Sequence, residues 1–138
     1  MSNIAIALAL ILATETPSMD TSAIGDTHLP PSRRAYGRYQ IRKPVIDDLN
    51  SLYKLKGLAK FTRADSMSVS IDTMLARRWL VMQCGDNASV KEYLTTWNGG
   101  KQGKVTKDAQ NYYRKAKRKH GTDYFYTCYA EVMRAGVR

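Results

Sequence analysis

The hydrophobic pattern opens with an uninterrupted apolar run over residues 4–13. Within this run Leu8, Ile11 and Leu12 recur at helical spacing, and Glu15, seven residues after Leu8, continues the same face. The spacing therefore predicts a buried helix with one acidic residue among its largest apolar side chains. Because a proline two positions further on disfavours helical backbone before it, the helix is expected to end at or just after Glu15.

The rest of the chain combines one irregular segment with further helical patterns. Residues 18–41 are rich in turn-forming residues and become β-prone near Tyr36 to Ile41, which predicts a loop and a small hairpin. Apolar side chains then recur at helical spacing in five segments: Val45, Leu49, Leu52 and Tyr53, from Pro44 to a stop at Gly57; Ile71, Met74, Leu75, Trp79 and Met82, from about residue 67 to 82; Val90, Tyr93, Leu94 and Trp97, from a Ser89 and Glu92 capping box to Gly99 and Gly100; Val105, Ala109, Tyr112, Tyr113 and Ala116; and Phe125, Cys128, Tyr129 and Val132. The pattern predicts a single α+β domain over residues 1–138, mainly helical, with a small hairpin insertion after the first helix.

Composition and charge exclude several classes of protein. The chain has 138 residues, and 22 Lys and Arg against 12 Asp and Glu give it a net charge of +10. An apolar fraction of 43% is enough for a core, which excludes a disordered basic tail. The two cysteines and two histidines show no metal-ligand spacing, so we expect no disulfide scaffold, no metal site and no cofactor.

The apolar run at residues 4–13 has the length of the hydrophobic part of a signal peptide. No Lys or Arg precedes it and no small-residue cleavage site follows it, so we expect no signal peptide. Ten apolar residues are also too few to cross a bilayer, so we expect no membrane span.

Three separated strings carry the candidate chemistry. They are Ala13-Thr14-Glu15-Thr16, Tyr36-Gly37-Arg38-Tyr39-Gln40-Ile41 and Thr96-Trp97-Asn98-Gly99-Gly100. In this order they resemble the lysozyme-like superfamily, and most specifically its soluble lytic transglycosylases and phage peptidoglycan hydrolases. There a Glu-Ser or Glu-Thr pair closes the first helix, a Gly-x-x-Gln-Ile string follows, and a Tyr-Asn-Ala-Gly or Trp-Asn-Gly-Gly string comes later. The resemblance covers residues 3–116.

The resemblance implies a lysozyme-like fold and a peptidoglycan-cleaving glycosidase, either a lytic transglycosylase or a muramidase. The bond cleaved would be the β-1,4 linkage between N-acetylmuramic acid and N-acetylglucosamine, with Glu15 as catalytic acid and base. The implied substrate-binding residues are Thr16, Tyr39, Gln40, Trp97 and Asn98. Amide side chains suit sugar hydroxyl and N-acetyl groups, and aromatic rings suit sugar faces. For Trp97 a place in the apolar core is an equal alternative, because it completes a helical stripe.

The chemistry of Glu15 also has a basis in its surroundings. Cleavage of a glycosidic bond needs a carboxylic acid that stays protonated near neutral pH, and apolar neighbours favour the protonated form. A second carboxylate would come from the loop, where Asp20 and Asp26 are the candidates, and Asp26, in a Gly-Asp turn, is the candidate base. Gly-Asp is also ordinary turn chemistry, and lytic transglycosylases as a family use a single Glu.

Residues 114–120 form a basic run beside two tyrosines. This run is the main feature of the sequence that favours a function other than the glycosidase. Such a run is typical of nucleic-acid binding, but helical spacing places the cations on a solvated outer face, where they would attract anionic wall polymers. The alternatives are thus a basic nucleic-acid-binding protein and a catalytically inactive structural subunit of a virion. The expected partner is the glycan strand, with virion proteins as further candidates. Without a signal peptide, the protein would be virion-associated or delivered to the bacterial cell wall or periplasm by a partner.

Overall fold

The computed structural model describes residues 1–55, 57, 60–100 and 106–138. The protein is mainly helical with one small sheet, which confirms the predicted α+β class. Its helices are α1 (Asn3–Glu15), α2 (Lys43–Leu55), α3 (Asp72–Cys84), α4 (Val90–Gly99), α5 (Lys107–Lys117) and α6 (Asp123–Arg134), and its strands are β1 (Ile24–Gly25) and β2 (Ala35–Tyr36). The chain divides into two compact units: residues 1–14 with 80–138, called here the helical unit, and residues 15–79, called the hairpin unit.

Helix α1 is enclosed nearly all round. Every residue from Ala7 to Thr14 is buried, together with Ile4 and Ala5. The predicted buried helix and its end at Glu15 are therefore confirmed. A helix that is apolar on every side has no solvent face to present, so it is buried on every side.

The other helices of the helical unit begin at hydroxyl caps. The side chains of Ser89, Thr106 and Thr122 accept hydrogen bonds from the third residue of α4, α5 and α6, at 3.0, 3.2 and 3.1 Å. Each bond satisfies a backbone N–H that has no partner within the helix. The core side chains are Tyr93, Leu94, Ala109, Ala116, Phe125, Cys128 and Val132, as their spacing predicts. Val105, which was expected to join them, lies outside the described residues.

The hairpin unit contains the predicted hairpin in minimal form. Strands β1 and β2 pair antiparallel with Ile24 opposite Tyr36, and Tyr36 also forms a bridge to Ile41. Helix α2 has Pro44 in its first turn and buries Val45.

Two helical predictions need correction in detail. On α2 the side chain of Leu52 is exposed rather than facing the core, and the side chain of Tyr53 lies outside the described residues. The helix expected from about residue 67 begins at Asp72 instead, after a short 3-10 helix, Arg63–Met67. That short helix has its own capping box, in which Thr62 and Asp65 bond each other's backbone, so it forms a separate element. Met82 is exposed.

Candidate active site

Glu15 is the last residue of α1 and the first of the hairpin unit. Its side chain is half-buried, whereas Thr14 before it and Thr16 after it are both buried. The structure thus has an acidic residue at the end of a buried helix, as the sequence predicts. Glu15 is accessible to solvent, unlike the residues on either side of it, and a group that reacts with a bound substrate needs such access.

Thr16 and Gln40, from two different strings, meet at one backbone carbonyl. The Thr16 hydroxyl donates to the carbonyl oxygen of Gly37 at 3.5 Å, and Nε2 of Gln40 donates to the same oxygen at 2.8 Å. The segment that follows Glu15 is thereby joined to the turn of the hairpin string. These bonds bring two of the three motif strings into contact within the hairpin unit.

Gly37 and Gly25 allow this close packing. Gly37 has a φ of +80°, and a Cβ atom there would lie 1.9 Å from the backbone oxygen of Ser66. A Cβ atom on Gly25 would lie 2.0 Å from Oε1 of Gln40. Only glycine fits at Gly37, because a Cβ atom there would collide with fixed backbone, whereas a side chain in place of Gly25 would force the amide of Gln40 to move. The Gly of the Gly-x-x-Gln-Ile string is thus explained by sterics alone.

Gln40 itself has a largely structural set of contacts. Its backbone is in the left-handed region with a φ of 54°, and its Nε2 also lies 3.4 Å from the carbonyl oxygen of Ala23. The side chain is half-buried and links the two sides of the hairpin. Its predicted role in binding sugar stays a prediction. A bound sugar would have to use the same side-chain amide that already bonds the hairpin backbone.

Tyr39 does not offer the aromatic surface that was expected of it. Its side chain has no exposed area, and its hydroxyl forms a 2.8 Å hydrogen bond with the hydroxyl of Thr73 on α3. A ring enclosed on both faces cannot stack on a sugar. The physical reason is that Tyr39 lies in the turn at residues 37–40, which packs against the start of α3 and buries Arg38 as well as Tyr39.

Arg38 and Asp72 form a buried ion pair that the sequence reasoning missed. Nε of Arg38 donates to Oδ2 of Asp72 at 2.7 Å and Nη2 donates to Oδ1 at 3.1 Å, while the side chains are only 3% and 0% exposed. Burial raises the pKa of Asp72, and the hydrogen bonds and charge of Arg38 oppose that rise. The pair fastens the hairpin string to the start of α3. An acid at the first position of a helix is a common capping feature, so nothing in the sequence marked Asp72 as a buried partner.

Asp26 is a turn residue with an ionic partner. Its φ is 55°, its carbonyl oxygen accepts a hydrogen bond from the backbone of Leu29 at 2.8 Å, and its carboxylate lies 2.5 Å from Nη2 of Arg42. These contacts are those of a residue that stabilises a turn. Its predicted role as a catalytic base remains a prediction.

Trp97 and Asn98 lie near the end of α4, in the helical unit. Trp97 is half-buried and Asn98 is exposed, so the tryptophan is neither enclosed in the core like Tyr93 nor fully open to solvent. Both of its predicted roles, in the core and in substrate binding, stay open. Asn98 has the exposure that a sugar-binding amide needs.

No family model, curated protein or solved structure matches this chain. Within the described residues, no group of three or more His, Cys, Asp or Glu is placed to hold a metal ion. None of the described helices has both the length and the apolar character required to cross a membrane.

Proposed function

We propose that the protein is a peptidoglycan-cleaving glycosidase of the lysozyme-like type, with Glu15 as the general acid that protonates the leaving oxygen. The observation that carries the proposal is the shared carbonyl of Gly37, which joins Thr16, next to Glu15, to Gln40. Two strings that resemble the family's catalytic and hairpin strings are neighbours in space as well as ordered in sequence.

The setting of Glu15 supports the proposed chemistry. It follows ten buried residues of α1 and stands where the backbone carbonyls of the helix end carry partial negative charge. A general acid has to hold a proton before it can donate one, and negative partial charge at a helix end disfavours a carboxylate there. Half-burial leaves the carboxyl group within reach of a substrate.

We propose further that the reaction needs one protein carboxylate, with the substrate's own groups completing it as in the lytic transglycosylases that the sequence resembles. The pairing of Asp26 with Arg42 supports this choice over a two-carboxylate mechanism. The products should then carry 1,6-anhydro ends. Asp26→Asn should keep most of the activity. If the unmodified protein instead releases products with reducing ends, and Asp26→Asn abolishes that release, Asp26 is a second catalytic group.

The direct test is peptidoglycan zymography and release of soluble muropeptides by Glu15→Gln beside the unmodified protein. The amide keeps the shape of the side chain but has no proton to deliver, so activity should fall by a factor of about 10²–10⁴. Glu92→Gln is the matched control, because Glu92 is exposed at the start of α4 and glutamine also serves in a capping box. A folded Glu15→Gln protein that keeps most of its activity would overturn the assignment.

A second candidate function is nucleic-acid binding, and the exposed cations at the end of α5 favour it. These exposed cations are Arg114, Lys115 and Lys117 on the helix and Arg118 directly after it. If they serve only to attract an anionic wall, reversing the charges of Lys115, Lys117 and Lys119 should slow lysis of whole walls at low salt and leave cleavage of a short neutral glycan unchanged. A nucleic-acid binder would instead bind DNA with a log-log salt slope of roughly 0.7–0.9 per phosphate contacted. Submicromolar DNA binding at physiological salt without peptidoglycan cleavage would replace the proposal.

A further inference from the structure

The helical unit contains a cleft that the proposed glycosidase chemistry does not use. Its volume is about 340 Å³, and it is lined by Ile6, Leu10, Val90, Tyr113, Lys117 and His120. Every lining residue belongs to the helical unit, whereas Glu15 belongs to the hairpin unit. The volume lies at the small end of the range for ligand sites, which indicates a small molecule rather than a polymer.

The bottom of the cleft and two of its sides are aliphatic. The residues that form them are Ile6 and Leu10, which are one helical turn apart on α1, and Val90, the first residue of α4. Leu10 is 2% exposed, so it closes the bottom, while Ile6 and Val90 are half-buried and form the sides. Such a surface gains free energy by covering alkyl groups and offers no hydrogen bonds to a sugar.

One side of the cleft is formed by the ammonium group of Lys117 and the imidazole ring of His120. The ammonium groups of Lys117 and Lys91 lie 5.9 and 5.4 Å from the centre of the Tyr113 ring. The His120 ring is held edge-on against Phe125, with the ring centres 4.7 Å apart. The lining residues named above include no carboxylate. The positive charge at this edge is therefore not neutralised from within the cleft.

We propose that this cleft binds a small amphiphile with one anionic head group, of the class of a medium-chain alkyl carboxylate. The alkyl chain lies on Ile6, Leu10 and Val90, and the carboxylate lies at the edge formed by Lys117 and His120. An apolar surface beside an edge with the Lys117 ammonium group and the His120 imidazole fits this chemistry, since a neutral alkyl chain would leave the Lys117 charge unused and a sugar would leave the apolar surface uncovered. The inference does not depend on the proposed glycosidase activity.

Decanoate and decanol, titrated below their aggregation limits, separate the two parts of the site. Amide resonances of residues around 6, 10, 90, 113 and 117 should shift with decanoate, and calorimetry should show decanol binding more weakly, because it lacks the charge. Lys117→Glu should weaken decanoate binding by roughly five- to tenfold and change decanol binding by less than about twofold. Lys115→Glu is the matched control, since it makes the same charge change two residues away on α5 at a position that does not line the cleft.

A second variant locates the alkyl chain. Val90→Trp fills the cleft from its side and should abolish binding of both decanoate and decanol, with the helical circular dichroism of the protein retained. The proposal is overturned if Lys117→Glu and Lys115→Glu weaken decanoate equally, if Val90→Trp binds decanoate normally, or if the cleft resonances respond only to a single-stranded oligonucleotide.

Discussion

In the helical unit the buried side chains are almost all apolar, whereas the hairpin unit buries several polar and charged ones. The buried polar residues of the helical unit are Thr14 and Thr95, and those of the hairpin unit are Thr16, Arg38, Ser66, Asp72 and Thr73. The difference follows the secondary structure. Helices satisfy their own backbone hydrogen bonds and need only apolar contact, while the two-residue strands of the hairpin unit satisfy few.

Side chains supply the missing backbone partners in the hairpin unit. The amide of Asn50 both donates to and accepts from the backbone of Phe61, at 2.9 and 2.6 Å. Nε of Arg34 donates to the carbonyl oxygen of Leu29 at 2.9 Å, and Nη2 of Arg34 donates to the carbonyl oxygen of Thr27 at 3.0 Å. A segment with little regular structure is therefore held by individual polar bonds. We expect it to be sensitive to changes that leave one partner of a buried bond behind.

The largest effect should come from breaking the buried ion pair. Arg38→Ala leaves the Asp72 carboxylate without its partner and should lower the free energy of unfolding by about 3–5 kcal/mol. Denaturant unfolding measures it. Replacing both residues, Arg38→Met with Asp72→Leu, should recover much of the loss. The exposed pair in the same unit provides the control, since Arg42→Ala should cost less than about 1 kcal/mol. Equal losses for Arg38→Ala and Arg42→Ala would show that burial does not set the difference.

An apolar truncation should have the next largest effect. Leu8→Ala removes a side chain with no exposed area from the middle of α1, and should cost about 2–4 kcal/mol through lost burial and the cavity left behind. Leu52→Ala on α2 is the control of the same chemistry at an exposed site, where a change within about 0.5 kcal/mol is expected. Urea unfolding followed by circular dichroism compares the two variants.

A matched pair of hydroxyl deletions sharpens the comparison between the units. Tyr39→Phe removes the bond to Thr73, and Tyr93→Phe removes a hydroxyl that donates to the carbonyl oxygen of Gly85 at 2.6 Å and accepts from the backbone N–H of Ala88 at 3.3 Å. Both rings are fully buried, so each bond lost should cost about 0.5–1.5 kcal/mol. A larger loss in Tyr93→Phe than in Tyr39→Phe would show that the units differ in the number of polar bonds. A loss in Tyr39→Phe as large as that in Tyr93→Phe would show instead that each bond of the hairpin unit is stronger.

The smallest effect is a dependence on pH. Burial raises the pKa of Asp72 above its usual 3.8, and loss of Arg38 removes the group that opposes this rise. The folded Arg38→Ala protein then binds the proton more tightly than the unfolded chain does. Its destabilisation should shrink as the pH falls through the folded-state pKa towards 3.8, because a neutral Asp72 needs no counter-ion. Unfolding measured from pH 7 to pH 4 checks the sign. A constant difference between variant and unmodified protein would contradict it.

Periodicity and caps predicted the helices because each is a local property. The end of α1 at Glu15 and the start of α4 after Ser89 follow from a proline and a capping hydroxyl within a few residues. The burial of Arg38 is different, since it depends on Asp72, 34 residues away. A charged residue in a β-prone string is normally read as exposed, and only the tertiary contact reverses that reading.

The same reason limits prediction of the candidate site. The place of Glu15 was predicted from its own helix, and it is where the pattern indicated. The burial of Tyr39 depends on how the turn at residues 37–40 packs against α3, and a turn has no periodic pattern from which burial could be predicted. The contact of Thr16 and Gln40 at Gly37 is likewise a product of the folded chain.

The helical unit is assembled from two stretches of sequence, with the whole 65-residue hairpin unit, Glu15–Trp79, between them. During synthesis the apolar segment of α1 therefore leaves the ribosome well before the helices that enclose it exist. It has to stay unpaired, or be shielded by a chaperone, until residues 80–138 follow, and its docking closes a long loop. The hairpin unit is continuous in sequence and meets no such delay. We expect it to acquire structure first and to shorten the effective loop that α1 has to close.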